Sequence, residues 1–330
     1  MSEQVEPTGA SGAQGSAAPT CYRHPGRETY VRCSRCDRPI CPDCMVPASV
    51  GFQCPECVRE GARTVRSPRT VFGGRVAGRD GLVTKVIIGA CLVVFVLQQV
   101  LGDAFTARFW QIGLAFDPVL GPGLHGVAAG EWYRLVTVAF LHAGVLHVAF
   151  NLYALWLFGP PLEQLLGRAR FVALYALSAV GAAATSFAFS PPNQPSVGAS
   201  GAIFGLFGAF FVVNRHLGRD TSALVGLMVV NLVLGFVVPN IDWRAHVGGL
   251  VTGAVVALVM VRAPAARRTT VQLAGCLAVL LVVLGIATVR TAHLVHAPVP
   301  TVLACLVEAP VDSSTDFVGC VLAAQAPALR

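Results

Sequence analysis

The sequence GASGAIFGLFGAFFVV, from Gly198 to Val213, places a serine near the start of an apolar run. A second apolar run, from Val247 to Val261, directly follows His246. Polar side chains at membrane depth cost free energy and therefore tend to mark functional sites. A serine and a histidine at the starts of two different apolar helices indicate nucleophilic catalysis within a bilayer.

The composition is that of a membrane protein. Of the 330 residues, 55% are hydrophobic and 12% are charged, against about 25% charged residues in an average soluble domain. The net charge of +7 leaves nucleic acid or anionic lipid open as a partner. The basic residues, however, lie in alternate loops between apolar runs, which is the positive-inside pattern. They are Arg75, Arg79 and Lys85; Arg168 and Arg170; Arg215 and Arg219; and Arg262, Arg267 and Arg268.

Apolar segments near the roughly 20 residues that span a bilayer predict an all-α polytopic membrane protein. They lie at about 85–101, 145–160, 171–189, 199–214, 222–239, 245–261 and 271–289. No signal peptide is visible, so we expect the first segment to be an uncleaved signal-anchor that leaves the N-terminus in the cytosol. Ser200 and His246 then lie at the same, outer membrane face.

The composition also predicts how the chain is divided. The parts are a disordered tail (1–20), a cysteine-rich module (21–57), a basic linker (58–84), a six-span core (85–262), a seventh span (263–290) and a non-cytoplasmic tail (291–330). We expect the long loop 102–136 to lie in the membrane interface, with Trp110 and Trp132 at headgroup level. In the C-terminal tail, Cys305 and Cys320 could form a disulfide in an oxidising compartment.

The glycine spacing explains how the serine could reach the histidine. Small residues occupy one face of each of the two helices and let membrane helices approach closely. These residues are Gly201, Gly205 and Gly208 on the first helix and Gly249 and Gly253 on the second. At a helix start, free backbone N–H groups and the positive dipole end also favour a developing anion next to Ser200.

His147 and Asn151 supply further candidate chemistry. They are four residues apart and so share a helix face, where their N–H donors would suit an oxyanion hole. No acidic residue in the apolar segments can complete a triad, and Asp242 lies at a loop end. The residues therefore indicate a Ser-His dyad. We expect His125 and His142 to be interfacial polar residues.

With these motifs the chain resembles the rhomboid family of intramembrane serine proteases over about residues 80–262. The matching motifs are GxSG at 198–201, AHxxGxxxG at 245–253, HxxxN at 147–151 and the Trp-Tyr-Arg sequence at 132–134. The resemblance implies a six-helix bundle, to which this chain adds a C-terminal span, as in a subset of the family.

The resemblance also implies the roles of the site residues. Ser200 would be the nucleophile and His246 the general base and then the acid. His147, Asn151 and the Ser200 backbone amide would form the oxyanion hole, and Phe150 would lie near the substrate gate. The family cuts single transmembrane helices in the lipid bilayer near the outer surface, without ATP or a catalytic metal.

Two other functions are compatible with a helical bundle. The first is a catalytically silent rhomboid-like binder of membrane helices in quality control, with the N-terminal cysteine-rich module recruiting a cytosolic partner. Intact Ser200 and His246 speak against it. The second is a small transporter or channel. A transporter would be expected to show paired broken helices in repeated halves, and no such repeat is visible.

The N-terminal cysteines form pairs with two-residue spacing. The pairs are Cys21 and His24, Cys33 and Cys36, Cys41 and Cys44, and Cys54 and Cys57. Eight such ligands suffice for two tetrahedral, structural zinc sites, which would provide most of the folding free energy of so small a module. Disulfides are disfavoured on the reducing side of the membrane.

The module resembles B-box-type zinc fingers, whose sites are interleaved. The resemblance assigns Cys21, His24, Cys41 and Cys44 to one ion and Cys33, Cys36, Cys54 and Cys57 to the other; sequential pairing is the alternative. We expect this module to bind a protein partner or to restrain the protease core rather than to bind nucleic acid. Many Arg, Ala and Gly residues with a single Lys are compatible with a high-GC bacterium, and hence with a bacterial plasma membrane.

Overall fold

The computed structural model describes residues 18–64, 68–76, 81–117, 119–121, 123–238 and 241–296. These residues form two compact units, one comprising 18–64 and the other beginning at Pro68. Most of the predicted N-terminal tail and almost all of the predicted C-terminal tail, with Cys305 and Cys320, lie outside the described residues.

The first unit is built from short elements around its cysteines. Strand β1 (Thr20–Cys21) pairs with β2 (His24–Glu28), and β3 (Val46–Pro47) with β4 (Phe52–Gln53), both antiparallel. A 3₁₀ turn (Pro42–Cys44) and helix α1 (Pro55–Thr64) complete it. The buried interior consists of Ile40 and cysteine side chains. So little apolar core cannot stabilise a unit of this size, so another source of stability is needed.

The second unit contains a helix at each predicted span. These are α2 (Leu82–Phe109), α4 (Val145–Leu166), α5 (Arg168–Phe189), α6 (Ser200–His216), α7 (Ser222–Val237), α8 (Trp243–Arg262) and α9 (Arg268–Val295). Among the described residues, five helices are long and apolar enough to cross a membrane: α2, α4, α5, α8 and the run Ala265–Val295 that contains α9. The predicted all-α polytopic fold is confirmed.

Two helix boundaries differ from the prediction for physical reasons. Helix α2 is kinked at Gly102, whose φ of 73° is left-handed, so its first part ends where the predicted span ends. Helix α4 continues through Pro160 and Pro161 to Leu166. In this added turn, the buried carboxylate of Glu163 accepts hydrogen bonds from backbone amides of the first turn of α2, each at 3.1 Å. It therefore caps the positive end of α2.

Helices α5, α6 and α8 pack with almost no side-chain volume between them. A Cβ on Gly249 would overlap the carbonyl oxygen of Gly201, and one on Gly253 would overlap that of Gly205. On the α5 side, a Cβ on Gly248 would overlap the side chain of Thr185. The two glycine faces that the sequence predicts on α6 and α8 are thus in backbone contact.

Helix α7 is packed quite differently. Gly235 is its one buried residue within Ser222–Val237, and Val229, Val233 and Phe236 are each more than half exposed. Such a helix has few contacts to lose when it moves. The sequence gives no sign of this difference, because α7 is as apolar as its neighbours.

The segment 102–136 is folded against the bundle. It contains β5 (Ala115–Phe116) paired with β6 (Leu124–His125), and a 3₁₀ turn (Val127–Ala129); α3 (Arg134–Thr137) and a second 3₁₀ turn (Val138–Phe140) follow. Val127 and Leu135 pack in one cluster with Phe187 of α5. Trp110 and Trp132 are half-buried. Their position at headgroup level stays a prediction.

A buried arginine ties this segment together. The Arg134 guanidinium donates at 2.7 Å to the carbonyls of Ala107 and Trp110 and to the Glu131 carboxylate. Partial burial opposes ionisation of Glu131, but hydrogen bonds from Arg134 and from the Gly126 amide outweigh it and lower the pKa of Glu131. The Trp-Tyr-Arg sequence thus has a structural role in this fold.

Part of the predicted linker 58–84 is ordered. Helix α1 extends to Thr64, and residues 68–76 pack on the helical unit. Phe72 is 3% exposed, its ring lies 5.8 Å from that of His216, and its carbonyl accepts from Gln272 Nε2 at 3.2 Å. Its burial in the hydrophobic core anchors the segment to the end of the bundle where α6 finishes and α9 begins.

We predict that Gly253→Ala lowers stability by about 1–3 kcal/mol, because the new methyl group must push α8 away from α6. Gly285→Ala is the matched control: it also lies within a helix, but a Cβ there meets open space. It should be neutral or stabilising by up to about 1 kcal/mol. Thermal unfolding of the purified protein in detergent measures both, and equal effects would contradict the packing argument.

Candidate functional site

Ser200 and His246 lie side by side at one end of the bundle. Ser200 is the first residue of α6 and His246 lies in the first turn of α8. The Ser200 Oγ and His246 Nε2 atoms are 2.9 Å apart, which is hydrogen-bond distance. His246 is buried, and its Nδ1 has no hydrogen-bond partner among the described residues. The arrangement is that of a nucleophile beside its base.

Two apolar contacts hold the histidine ring in place. The Phe204 ring, one helical turn beyond Ser200, stacks on the His246 ring with centroids 4.2 Å apart and an interplanar angle of 10°. In addition, a Cβ added to Gly235 of α7 would lie 3.3 Å from His246 Nδ1. Neither residue is a candidate from the sequence, although the spacing of four residues between Ser200 and Phe204 places them on one face.

Asp242 links three segments near the site. Its carboxylate accepts from the Ala245 amide at 3.1 Å and so caps α8. It also accepts from the hydroxyls of Ser186, at the end of α5, and Ser196, in the loop before α6, at 2.5 and 2.8 Å. The sequence suggests only a loop-end residue here. The signal for the cap is Asp three residues before Ala245, directly ahead of an apolar run.

His147 lies beside Gly198, in the loop that precedes Ser200. A Cβ on Gly198 would lie 2.8 Å from both Cε1 and Nε2 of the His147 ring and 3.5 Å from Ser200 Oγ. Gly198 also has a φ of +135°, which L side chains rarely adopt. The Ala143 amide donates to His147 Nδ1 at 3.3 Å, so the neutral ring carries its proton on Nε2. That donor is on the side of Gly198 and Ser200.

Asn151 is one turn further along α4 and is buried. Its side-chain amide donates at 2.9 Å to the carbonyl of His147 within the same helix. An amide has two N–H groups, so the second remains as a donor. The structure thus brings Ser200, His246 and the His147 ring together at Gly198, and holds Asn151 through His147.

His142 packs against the ring of His147. The expectation that it is an interfacial residue is wrong: it is 2% exposed, and its ring meets that of His147 edge to face with centroids 5.3 Å apart. Gln98 of α2 holds the His142 backbone by two hydrogen bonds, one to its carbonyl at 3.2 Å and one from its amide at 2.9 Å. Gln98 is a polar interruption of the first apolar run and is detectable on that ground.

The N-terminal unit holds its eight candidate ligands in two clusters. Each cluster combines two pairs that alternate along the chain, and within each the donor atoms all lie within 4.8 Å of one another. They are Cys21, His24, Cys41 and Cys44 in one, and Cys33, Cys36, Cys54 and Cys57 in the other. This is the interleaved arrangement rather than sequential pairing.

The clusters fit a tetrahedral metal. His24 Nδ1 lies 3.2–3.8 Å from the sulfurs of its cluster, and Cys36 Sγ lies 3.8 Å from Cys54 Sγ. A metal–sulfur bond of about 2.3 Å requires tetrahedral edges of about 3.8 Å. Burial raises the thiol pKa of Cys33, but backbone N–H groups of Cys54, Arg35 and Cys36 outweigh it and lower that pKa to about 6. The donor atoms and their spacing thus allow each cluster to hold a metal ion.

Together these features define an integral membrane protein with a partly buried Ser-His pair between helix starts. Residues 129–263 match the model of the rhomboid domain family. The chain is 40% identical to the putative rhomboid protease YdcA of Bacillus subtilis over 165 aligned residues. The aligned region covers 48% of this chain and 82% of YdcA. The chain therefore belongs to the rhomboid family.

Two further relatives share a smaller part of their length. The rhomboid protease GluP of Bacillus subtilis is 43% identical over 132 residues, which are 38% of this chain and 26% of GluP. The rhomboid-type serine protease 2 of Emericella nidulans is 29% identical over 154 residues, or 44% of this chain and 30% of that protein. This chain thus spans only about a quarter to a third of those two. The names of these relatives agree with the predicted enzyme class, a serine-type peptidase.

We expect Asp242→Ala to destabilise the protein by about 2 kcal/mol, because it removes a helix cap and leaves the buried Ser186 hydroxyl without its acceptor. Asp242→Asn keeps an oxygen that can accept a hydrogen bond from the Ala245 amide. It should therefore lower the stability of the protein by roughly half as much. Thermal unfolding in detergent compares the two. If alanine and asparagine were equally mild, the carboxylate would not link these segments.

Proposed function

We propose that this protein is an intramembrane serine endopeptidase that cleaves transmembrane-helix substrates near the outer membrane face with a Ser200–His246 dyad. The observation that carries the proposal is the distance of 2.9 Å between Ser200 Oγ and His246 Nε2. Family membership and the names of the relatives support the same class of activity.

In this mechanism Ser200 Oγ attacks the scissile carbonyl carbon while its proton passes to His246 Nε2. The C–N bond then breaks, and His246 returns the proton to the leaving amine. Water next attacks the acyl-enzyme with His246 again acting as base, which releases the second product and restores the Ser200 hydroxyl. The stacked Phe204 ring keeps the imidazole in the orientation that both proton transfers need.

The tetrahedral intermediate carries a negative charge that needs donors. We assign this role to His147 Nε2–H, the Ser200 backbone N–H and the Asn151 amide. The proton on His147 Nε2, inferred from the hydrogen bond at its Nδ1, supports the first assignment. Asn151 can use its second amide hydrogen. Each good donor of this kind is worth about 3–4 kcal/mol of barrier reduction in soluble hydrolases.

Substrate helices would approach beside α7, whose sparse packing supports a movable element. Displacing α7 would uncover the side of His246 that Gly235 faces. On α4, Phe150 is 71% exposed, which suits a residue that contacts a transmembrane helix at the gate. Entry from the bilayer brings the substrate to Ser200 without opening the tightly packed α6–α8 contact.

We further propose that the N-terminus is cytoplasmic and that the membrane is a bacterial plasma membrane. Basic residues at the ends where α4 meets α5, α6 meets α7 and α8 meets α9 support that orientation. The starts of α6 and α8, and with them Ser200, would then be at the outer face.

We infer that both metal clusters bind structural zinc, since three cysteines with one histidine and four cysteines are its usual closed ligand sets. Without an open coordination position, these ions would have no catalytic role. A cytosolic protein is the partner we favour for this unit. Its arginines leave nucleic acid as the less favoured partner, because four of them are already engaged by acidic or backbone groups of the same unit.

Ser200→Ala should abolish labelling by a fluorophosphonate probe and reduce cleavage of a transmembrane-helix reporter in proteoliposomes by at least about 10³-fold. His246→Ala should do the same, because without the base the hydroxyl stays protonated. His147→Ala should slow cleavage by about 10²–10³-fold, since it removes one oxyanion donor.

Ser222→Ala is the matched control, since this serine begins α7 away from the site. It should label and cleave like the unaltered protein. A silent helix-binding protein would instead leave the unaltered chain unlabelled, and labelling that persists in Ser200→Ala would place the nucleophile elsewhere. Either result overturns the proposed activity.

Elemental analysis should find two zinc ions per chain. Chelation should unfold residues 18–64, because their apolar core is small, while the helical unit stays folded. Limited proteolysis before and after chelation, with mass analysis of the fragments, distinguishes the two units. Cys44→Ser should bind one ion fewer. Protection of residues 18–64 that survives complete removal of metal would contradict the assignment.

A further inference from the structure

A polar cavity of about 270 Å³ lies beside the start of α9, at the end of the bundle away from Ser200. A 3₁₀ turn (Ala265–Arg267) lines the cavity and leads directly into α9. Its polar wall includes Arg69, Gly73, Arg267, Arg268, Thr269 and Thr270. The proposed peptidase mechanism uses none of these residues.

Guanidinium groups converge on one wall of this cavity. A Cβ on Gly73 would lie 2.7 Å from Arg268 Cδ, 3.4 Å from Arg268 Nη1 and 3.6 Å from Arg170 Nη2. The φ of Gly73 is +84°, so glycine provides both the turn and the space for these side chains. Two positive groups from α5 and α9 are thereby held against the same short turn.

The hydrogen-bond partners of these arginines are neutral. Arg268 donates to the Val71 carbonyl, Arg170 to Gln272 Oε1 and Arg69 to the Gly73 carbonyl. In the part of the chain that the structure describes, none of the three is within ion-pair distance of a carboxylate. Like charges held together without a counter-ion repel one another, and an anion between them would relieve that repulsion.

Backbone donors add to the positive wall. Thr269 and Thr270 lie in the first turn of α9, a helix of 28 residues, where backbone N–H groups have no partner within the helix. This end of the helix also carries the positive end of the dipole. Guanidinium forks, free amides and hydroxyls are the donors that bind phosphate oxygens.

We propose that this cavity binds a phosphate group, and that in the membrane this group belongs to an anionic phospholipid. The position favours the lipid as the source, because the cavity lies where the apolar run of α9 begins, at the level of the lipid headgroups. Arg69 and Arg267 are exposed at the cavity and Arg268 is half-buried in its lining, while Arg170 reaches the Gly73 turn from α5.

The test compares lipid retention by the full-length protein in detergent, using native mass spectrometry. Phosphatidylglycerol and phosphatidylcholine are added in turn. We expect preferential retention of phosphatidylglycerol, and about tenfold weaker retention by Arg69→Gln/Arg267→Gln, which loses two charge-assisted contacts. Both residues are exposed and do not support the helix packing, so the double variant should keep its fold; Arg268→Gln should change lipid retention in the same direction.

Arg219→Gln is the control, since it removes one positive charge from the loop at the same end of the bundle but does not line the cavity. It should retain phosphatidylglycerol within about twofold of the unaltered protein. In the second arm of the test, inorganic phosphate is added to the protein. The unfolding temperature is then compared with that in chloride at equal ionic strength. A shift that the double variant abolishes, without any lipid preference, supports the phosphate site but reassigns its source to free phosphate.

Two outcomes overturn the proposal. One is equal retention of both lipids together with no phosphate-specific shift. The other is an equal loss in Arg219→Gln and in the double variant, which would reduce the effect to the net charge of this face. Fluorophosphonate labelling of Ser200 in every variant reports whether the fold is intact, and so separates lost binding from lost folding.

Discussion

The contact of the α6 backbone with the α8 backbone is the constraint on which the rest of the molecule depends. Lipid is as apolar as leucine, so burial of side chains gives membrane helices little reason to associate, and close packing must supply the free energy. At Gly249 and Gly253 the space beyond the Cα is occupied by carbonyl oxygens of α6. No other residue type fits there. The pairing thus fixes the relative height of the two helices as well as their separation.

That fixed height is what brings the two reactive side chains together. Ser200 lies one turn ahead of Gly205, and His246 lies two turns ahead of Gly253, so a shift of either helix along the other would move Oγ away from Nε2. Asp242 limits such a shift from the loop side, since its carboxylate joins α8 to Ser186 and Ser196. A reaction geometry that tolerates errors of well under 1 Å needs such support.

The fold and the Ser200–His246 pair can be predicted from the sequence because both depend on local signals. Apolar length predicts the helices, and the glycine spacing predicts which faces of α6 and α8 meet. The contacts between distant parts of the chain cannot be predicted from the sequence in this way. The burial of His142 requires Gln98, which is 44 residues away. Phe72 is buried only because α6 ends and α9 begins at the same level. The weak packing of α7 is equally invisible, since apolar side chains facing lipid and those facing protein look alike in a membrane sequence.

Rigidity and looseness are divided between helices in a way that suits a peptidase working inside a bilayer. The helices that carry Ser200 and His246 contact each other through backbone, whereas α7, which faces His246 through Gly235, is buried at that one residue. Under the proposed function, if α7 were packed as tightly as α8, a substrate helix could reach the serine only by breaking the Ser200–His246 pair. With the weak contact on α7, the proposed site could open while Oγ and Nε2 keep their distance. The proposed peptidase would then admit a large substrate without losing the geometry of the pair.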